Sequence, residues 1–349
     1  MQKGRLPSIL TSALLLCVAL LGCKKENTLG IDNDKVISTP YSLFAADSSG
    51  AIIKTNDGSQ FTNVFPPDGY PPVLLLTSGP NLMVVKENLH LSTNSGRDFN
   101  PVYRHLNKFP WQTMALDYTE HNRVYITSTE NKGIMFSPDH GLTWMKDSLW
   151  APDAQLPPSF IISSFSGLQD GKLFAYSNEG NVLFLKDGPD GKWTPVTTEG
   201  SFPVGHSEYF LTSNNNTLFL IDHKGVGGAW YSEDEGVHWT KYNQGPMPSN
   251  TTYYCAIAPN PEGNTLLVGT GVYGIYRADN GTFTASSGGL LTGASVYSFA
   301  AKDNYYKNNV MKHYIYAGTS DGLYRSENHG QTWYQLTSDV WKQKYIALY

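Results

Sequence analysis

Three carboxylates and a group of aromatic side chains stand out for the chemistry their types and settings allow. Asp153, Glu199 and Asp339 each lie in an irregular polar stretch between strand-like runs. Two such acids held at a fixed separation could do general acid/base work on a glycosidic bond. Trp111, Trp150 and Trp341 fall in comparable stretches, as do Tyr70, Arg104 and His105. Rigid aromatics on loops suit sugar stacking or a protein partner, and they serve equally well as plugs between packed units. The nine histidines show no His-x-x-x-His or Cys/His spacing, so neither a metal nor a cofactor is expected. Only His105 and His206 fall where a ligand could meet them.

The elements that must position these residues are β-strands. Aromatics make up 13% of the 349 residues, with 22 Tyr, 33 Gly and 20 Pro, a composition that favours short strands punctuated by turns. Removing Lys3 and Arg5 leaves 23 basic against 30 acidic residues, a net charge of −7. A mildly acidic chain without Lys/Arg blocks is not built to bind nucleic acid. Beyond Cys17 and Cys23 near the N-terminus, Cys255 stands alone within Tyr253-Tyr254-Cys255-Ala256-Ile257, which predicts a small core residue and no intrachain disulfide framework.

An internal repeat organises residues 41–349. Its clearest copies are Ser137-Pro-Asp139-His-Gly141-Leu-Thr143-Trp144, Ser232-Glu-Asp234-Glu-Gly236-Val-His238-Trp239 and Ser326-Glu-Asn328-His-Gly330-Gln-Thr332-Trp333. Weaker copies centre on Gly58 and Gly96, and degenerate ones on Gly191 and Gly281. Successive marker glycines are separated by 38, 45, 50, 45, 45 and 49 residues, the length of a four-stranded propeller blade. Each unit reads as a hairpin turn. Gly supplies a positive φ, the Ser and Asp side chains satisfy turn N–H groups, and the Trp opens the next strand. The turns are therefore scaffold, not calcium loops or acid/base pairs.

These units resemble the Asp-box (BNR) repeat, and the resemblance implies an all-β, seven-bladed propeller of four-stranded antiparallel blades. Inner strands are predicted at 73–77, 113–118, 160–165, 208–212, 253–258 and 296–301. That is six for seven blades, because the chain enters blade one at its second strand. The seventh is expected at the C-terminus, where Lys344–Tyr349 would pair into blade one and close the ring without a free edge.

Ahead of the repeats, Lys3 and Arg5 precede an apolar run from Ile9 to Leu21 that ends in Leu20-Leu21-Gly22-Cys23. The run is shorter than the ~20 residues a transmembrane helix needs, and its end resembles the bacterial lipobox. The expected organisation is a signal peptide over 1–22, a flexible tether over 23–40 that is lipidated at Cys23, and a single propeller over 41–349. Several acyl chains on one residue give firm membrane anchoring. The Cys-Lys-Lys-Glu start is similar to lipoproteins of the Bacteroidetes, which implies an outer-membrane anchor facing either the periplasm or the surface, and the chain is expected to be monomeric.

The Asp-box family includes sialidases, which clamp a substrate carboxylate with three arginines. Of the mature arginines, Arg97 lies in a repeat turn, Arg277 and Arg325 directly precede turns, and Arg123 falls between an inner and a second strand. Only Arg104 is placed to meet a ligand, so sialidase chemistry is not expected. The texture of Asn122-Arg-Val-Tyr125-Ile-Thr127 and of Asn264-Thr-Leu-Leu-Val-Gly-Thr270 is closer to xyloglucanase-type, sortilin-type and photosystem II assembly-factor propellers. Functional sites in Asp-box enzymes lie on the face opposite the repeat turns, where the connections between blades gather. The leading expectation is a non-catalytic protein whose loop-rich face binds a glycan or an envelope protein through Tyr70, Arg104, His105, Trp111, Trp150 and Trp341. Its rival is a polysaccharide hydrolase using Asp153, Glu199 or Asp339.

Overall fold

The computed structural model describes residues 42–349 apart from 57, 73, 79–80, 87, 104–114, 117–122, 129–132, 149, 151–161, 202–207, 250, 280, 306–310 and 338–342. These residues form seven four-stranded antiparallel sheets arranged as a ring, a seven-bladed β-propeller without helices among the described residues. Second strands are mostly apolar, with a polar residue at one end of several. Leu43–Asp47, Asn81–Val85, Leu218–Asp222 and Leu266–Thr270 are buried at every position, because each is covered by a neighbouring blade on both faces. Outermost strands such as Met145–Lys146, Thr240–Lys241 and Tyr334–Gln335 are exposed throughout. The core is accordingly divided into seven apolar clusters, each shared by two adjacent blades.

The ring closes as the sequence predicts. Tyr345–Leu348 is the inner strand of blade one and runs antiparallel to Leu43–Asp47, with Ala45 opposite Leu348 and Ala46 opposite Ala347. Phe44 and Tyr349 exchange both backbone hydrogen bonds (2.7 and 3.0 Å), and Ser48 N–H donates to the Lys344 carbonyl (2.9 Å). Several predicted boundaries shift, two of them by several residues. The inner strand of blade four is Ser164–Gly167 rather than 160–165, since Ser163 instead turns both its N–H and its hydroxyl onto the Tyr176 carbonyl. In blade seven the first two strands extend to Val296–Tyr305 and Met311–Thr319. Their polar ends continue the ladder beyond the neighbouring blades, with the Asp303 carboxylate on His313 Nδ1 at 2.6 Å.

The repeat turns share one hydrogen-bond plan. Ser137 Oγ accepts from Gly141 N–H (2.7 Å) and donates to Asp139 Oδ1 (2.8 Å). Asp139 in turn accepts from the Thr143 N–H (2.8 Å) and hydroxyl (2.7 Å). Burial opposes ionisation of Asp139, but the Thr143 and Ser137 hydrogen bonds outweigh it and hold the carboxyl below its ordinary value. Ser232/Asp234/Gly236 and Ser326/Asn328/Gly330 repeat the arrangement. The glycines do more than supply a positive φ. A Cβ on Gly141, Gly236 or Gly330 would lie within 2.6 Å of Met83, Leu183 or Leu267 respectively. Each turn is thus pressed onto the preceding blade.

Blade four, whose repeat is degenerate, is fastened differently. Lys186 and Asp147 are 1% and 2% exposed and form an ion pair at 3.1 Å across the seam between blades three and four. Trp193 Nε1 donates to the same Asp147 oxygen (2.9 Å), and Lys186 Nζ donates to the Gly191 carbonyl (2.8 Å). A buried pair satisfied in this way is costly to halve, because the surviving charge keeps its desolvation penalty.

Two stability outcomes follow. Deleting residues 345–349 is expected to lower the melting temperature steeply, and an unchanged thermal transition would refute closure by this strand. Asp147→Ala is expected to cost about 3 to 5 kcal/mol in denaturant unfolding, whereas Asp147→Leu combined with Lys186→Met should recover most of that loss.

Candidate functional site

Connections between blades, and those joining second to third strands, emerge on the face opposite the repeat turns, and inner strands begin there. Three consecutive inner strands carry a β-bulge close to that end. The register slips between Tyr253 and Cys255 in blade six, between Val296 and Ser298 in blade seven, and opposite Ala46/Asp47 in blade one. A bulge re-aims the extra side chain out of the sheet alternation. Tyr253 and Val296 stay fully buried between blades, while Tyr254 is exposed and Tyr297 half-buried.

The two released tyrosines stack, with ring centroids 5.4 Å apart and planes at 16°. His223, from the second-to-third strand loop of blade five, lies 5.9 Å from the Tyr254 ring at 34°. Lys344, just ahead of the inner strand of blade one, places Nζ 4.4 Å from the Tyr297 centroid, an attractive cation–π geometry. The result is a row contributed in order by blades five, six, seven and one. Its parts are individually fixed. His223 Nδ1 donates to the Tyr253 carbonyl at 2.8 Å, and the backbone of His223 bonds to both Glu208 and Tyr253. The Tyr254 phenol rests on Gly271, where a Cβ would meet it at 3.3 Å, and the Ser295 hydroxyl bonds the Gly271 carbonyl.

Exposed apolar side chains rise from the same loops. Val226 follows His223 in its loop and is 69% exposed, Val272 and Tyr273 follow Gly271, and Leu291 precedes the Tyr297 strand at 56% exposed. Two carboxylates on this face are matched with lysines: Glu208 with Lys224 at 2.9 Å, and Asp68 with Lys86 at 2.6 Å. Burial works against the charge on Asp68, yet the hydrogen bond from Lys86 prevails and lowers its pKa. At the repeat-turn end of the blade-seven inner strand, Lys302 lies over the Tyr349 ring (4.4 Å), and burial pulls its pKa down to about 8.

The residues singled out by sequence are dispersed. Tyr70 is 62% exposed on the blade one to two connection, its N–H bonded to Asp68. Trp150 is packed against Trp193 and Phe184 at a blade seam and forms a bridge with Trp193, so its ring is engaged in scaffold. Glu199 bridges to the following blade at His238, with Oε2 3.5 Å from Nε2. His238 also bonds the repeat-turn Asp234, and that hydrogen bond, ahead of the Glu199 charge, raises its pKa. Arg104, His105, Trp111, Asp153, His206, Asp339, Trp341 and Cys23 lie outside the described residues. Arg123, Arg277 and Arg325 are paired with Asp190, Asp279 and Glu327. No group of three or more His, Cys, Asp or Glu among the described residues is arranged to hold a metal. Cys255 packs between blades six and seven, and burial pushes its thiol pKa up.

Sequence reasoning passed over Tyr254, Tyr297, His223 and Lys344. The available signal was an aromatic in the second position of two successive inner strands, Tyr253-Tyr254 and Val296-Tyr297. Alternation alone assigns such a residue to one blade seam or the other; only the bulge turns it outward.

No family model matches the chain, and no curated protein matches it in sequence. Solved structures do resemble it in shape. YCF48 bound to D1 peptide is 14% identical with a TM-score of 0.50, the alignment covering 82% of this chain and 96% of that one. An ancestral GH74 enzyme is 15% identical with a TM-score of 0.50, covering 86% of this chain and 48% of that one, so this chain spans about half its length. The extracellular domain assigned to a hybrid two component system of B. thetaiotaomicron is 14% identical with a TM-score of 0.54, covering 82% and 36%. At these identities the likeness is one of fold, and the fold held in common is the β-propeller.

Proposed function

We propose that this chain is a non-catalytic lipoprotein of the bacterial cell envelope whose loop-rich propeller face binds a glycan or a protein partner. In this reading the repeat turns are Asp-boxes, residues 1–22 are a signal peptide, Cys23 carries the lipid anchor, residues 23–40 are a tether, and the propeller works as a monomer at the outer membrane. The observation that carries the reading is the row His223, Tyr254, Tyr297 and Lys344 among exposed Val226, Val272, Tyr273 and Leu291. Apolar side chains left in water on rigid loops, beside fixed aromatics, form a surface suited to a ligand. The likenesses to a peptide-bound propeller and to an extracellular domain fit this reading, and the paired state of Asp68 and Glu208 favours binding over acid/base work by those groups.

The test compares capture of envelope components and glycan-array binding by the wild-type protein and by Tyr254→Ala/Tyr297→Ala. Loss of about tenfold or more is expected when two anchoring aromatics are truncated. Undiminished binding would remove the site, and turnover of a chromogenic glycoside panel would defeat the non-catalytic assignment. The anchor has its own check: Cys23→Ser is expected to abolish incorporation of labelled palmitate and to release the protein from the membrane fraction, and continued labelling would overturn lipidation at Cys23.

A further inference from the structure

Each tyrosine of the aromatic row has neighbours from two other blades. Tyr254 is flanked by His223 from blade five and by Tyr297 from blade seven, while Tyr297 is flanked by Tyr254 and by the Lys344 ammonium from blade one. The flanking groups come from blades on either side, while Tyr254 remains 42% exposed. A neutral sugar stacking flat would have to compete with these neighbours for a ring face. Aromatic edges carry the positive end of the ring quadrupole. They therefore add to the Lys344 ammonium at one end of the row.

Lys344 faces a π-system and has no carboxylate partner among the described residues. Its neighbours on this face differ, since Lys86 and Lys224 are each matched with an acid. In a chain of formal net charge −5, a cation with no acid beside it favours an anionic group at this point over the acid-matched positions of Lys86 and Lys224. The flanks of the row are apolar: Val226 beside His223, Val272 and Tyr273 beside Gly271, and Leu291 ahead of Tyr297.

Building on the binding function proposed above, we infer that the occupant of this site is an extended segment of a partner protein, with an acidic side chain directed to Lys344 and apolar side chains seated on Val226, Val272 and Leu291. An acidic polysaccharide would supply the carboxylate but not the apolar flanks. A neutral glycan would supply neither.

The experiment uses the full chain and three immobilised probes: a set of extended peptides alternating Leu and Val around one Asp, the same set with Lys replacing Asp, and polygalacturonate. The Asp peptides are expected to bind, and the Lys peptides about tenfold more weakly, because like charges opposed at an interface are penalised. Lys344→Glu should invert that preference, Lys344→Arg should preserve it, and Tyr334→Ala on an outermost strand should leave it unchanged. Equal binding of the Asp and Lys sets, or no inversion by Lys344→Glu, would overturn the inference. Retention of polygalacturonate with no peptide binding would also overturn it, while leaving the loop-face binding function standing. If none of the probes binds but native envelope components are still captured in a Tyr254/Tyr297-dependent way, the acidic, apolar-flanked segment is the wrong occupant and the site is right. Capture that survives Tyr254→Ala/Tyr297→Ala removes both.

Discussion

Everything in this molecule depends on the pairing of its last strand with its first. Blades of four strands cannot bury their faces alone, and each apolar cluster belongs to two of them. Seven seams exist only if the ring is closed, and closure rests on the ladder between Tyr345–Leu348 and Leu43–Asp47 with its flanking Phe44–Tyr349 bonds. An open array would expose two sheet faces and two edges instead. The same closure sets Lys344, immediately ahead of the closing strand, beside Tyr297 of blade seven. The junction where the closing strand meets the first is therefore also one end of the candidate site.

The repeat turns show how a local motif becomes a tertiary one. Ser, Asp and Gly are explained within the turn by hydrogen bonds and a positive φ. The glycine is explained a second time by the preceding blade, whose Met83, Leu183 or Leu267 occupies the volume a Cβ would need. Where the motif decays in blade four, the seam is kept by Lys186, Asp147 and Trp193, a polar solution that demands complete pairing. This substitution of one fastening for another accounts for two loop residues of types that suit ligands. Asp147 is buried in the lock, and Trp150 packs over it through Trp193.

Function and scaffold are separated along the strand axis. At one end, turns press against neighbours and their polar groups are used internally. At the other, bulges in three consecutive inner strands let side chains leave the seam. A bulge sacrifices a little ladder to redirect a side chain, and the repetition of the device over adjacent blades converts two single tyrosines into a stack with a cation at its end. Loops from blades five and six then frame it with aliphatic groups held by turn hydrogen bonds to Asp222 and Thr270.

The sequence by itself determined the fold class, the number of blades and the closing strand. Marker glycines at regular spacing and short aromatic runs encode local geometry that repeats, and a repeat constrains its own neighbours. The proposed leader and its Cys23 are read in a similar way, since a lipidation signal occupies one contiguous stretch. Only the tertiary structure decided which side chains face outward. Trp150 sits on a connection and yet is enclosed by blade four, and Glu199 is drawn to His238 of the next blade. Tyr254 and Tyr297 sit on core strands and yet are released by one extra residue. Period-two alternation says which side of a strand a residue takes. It does not report a one-residue bulge, or the distance to a blade some forty residues away in the chain, and both of those depend on the whole ring.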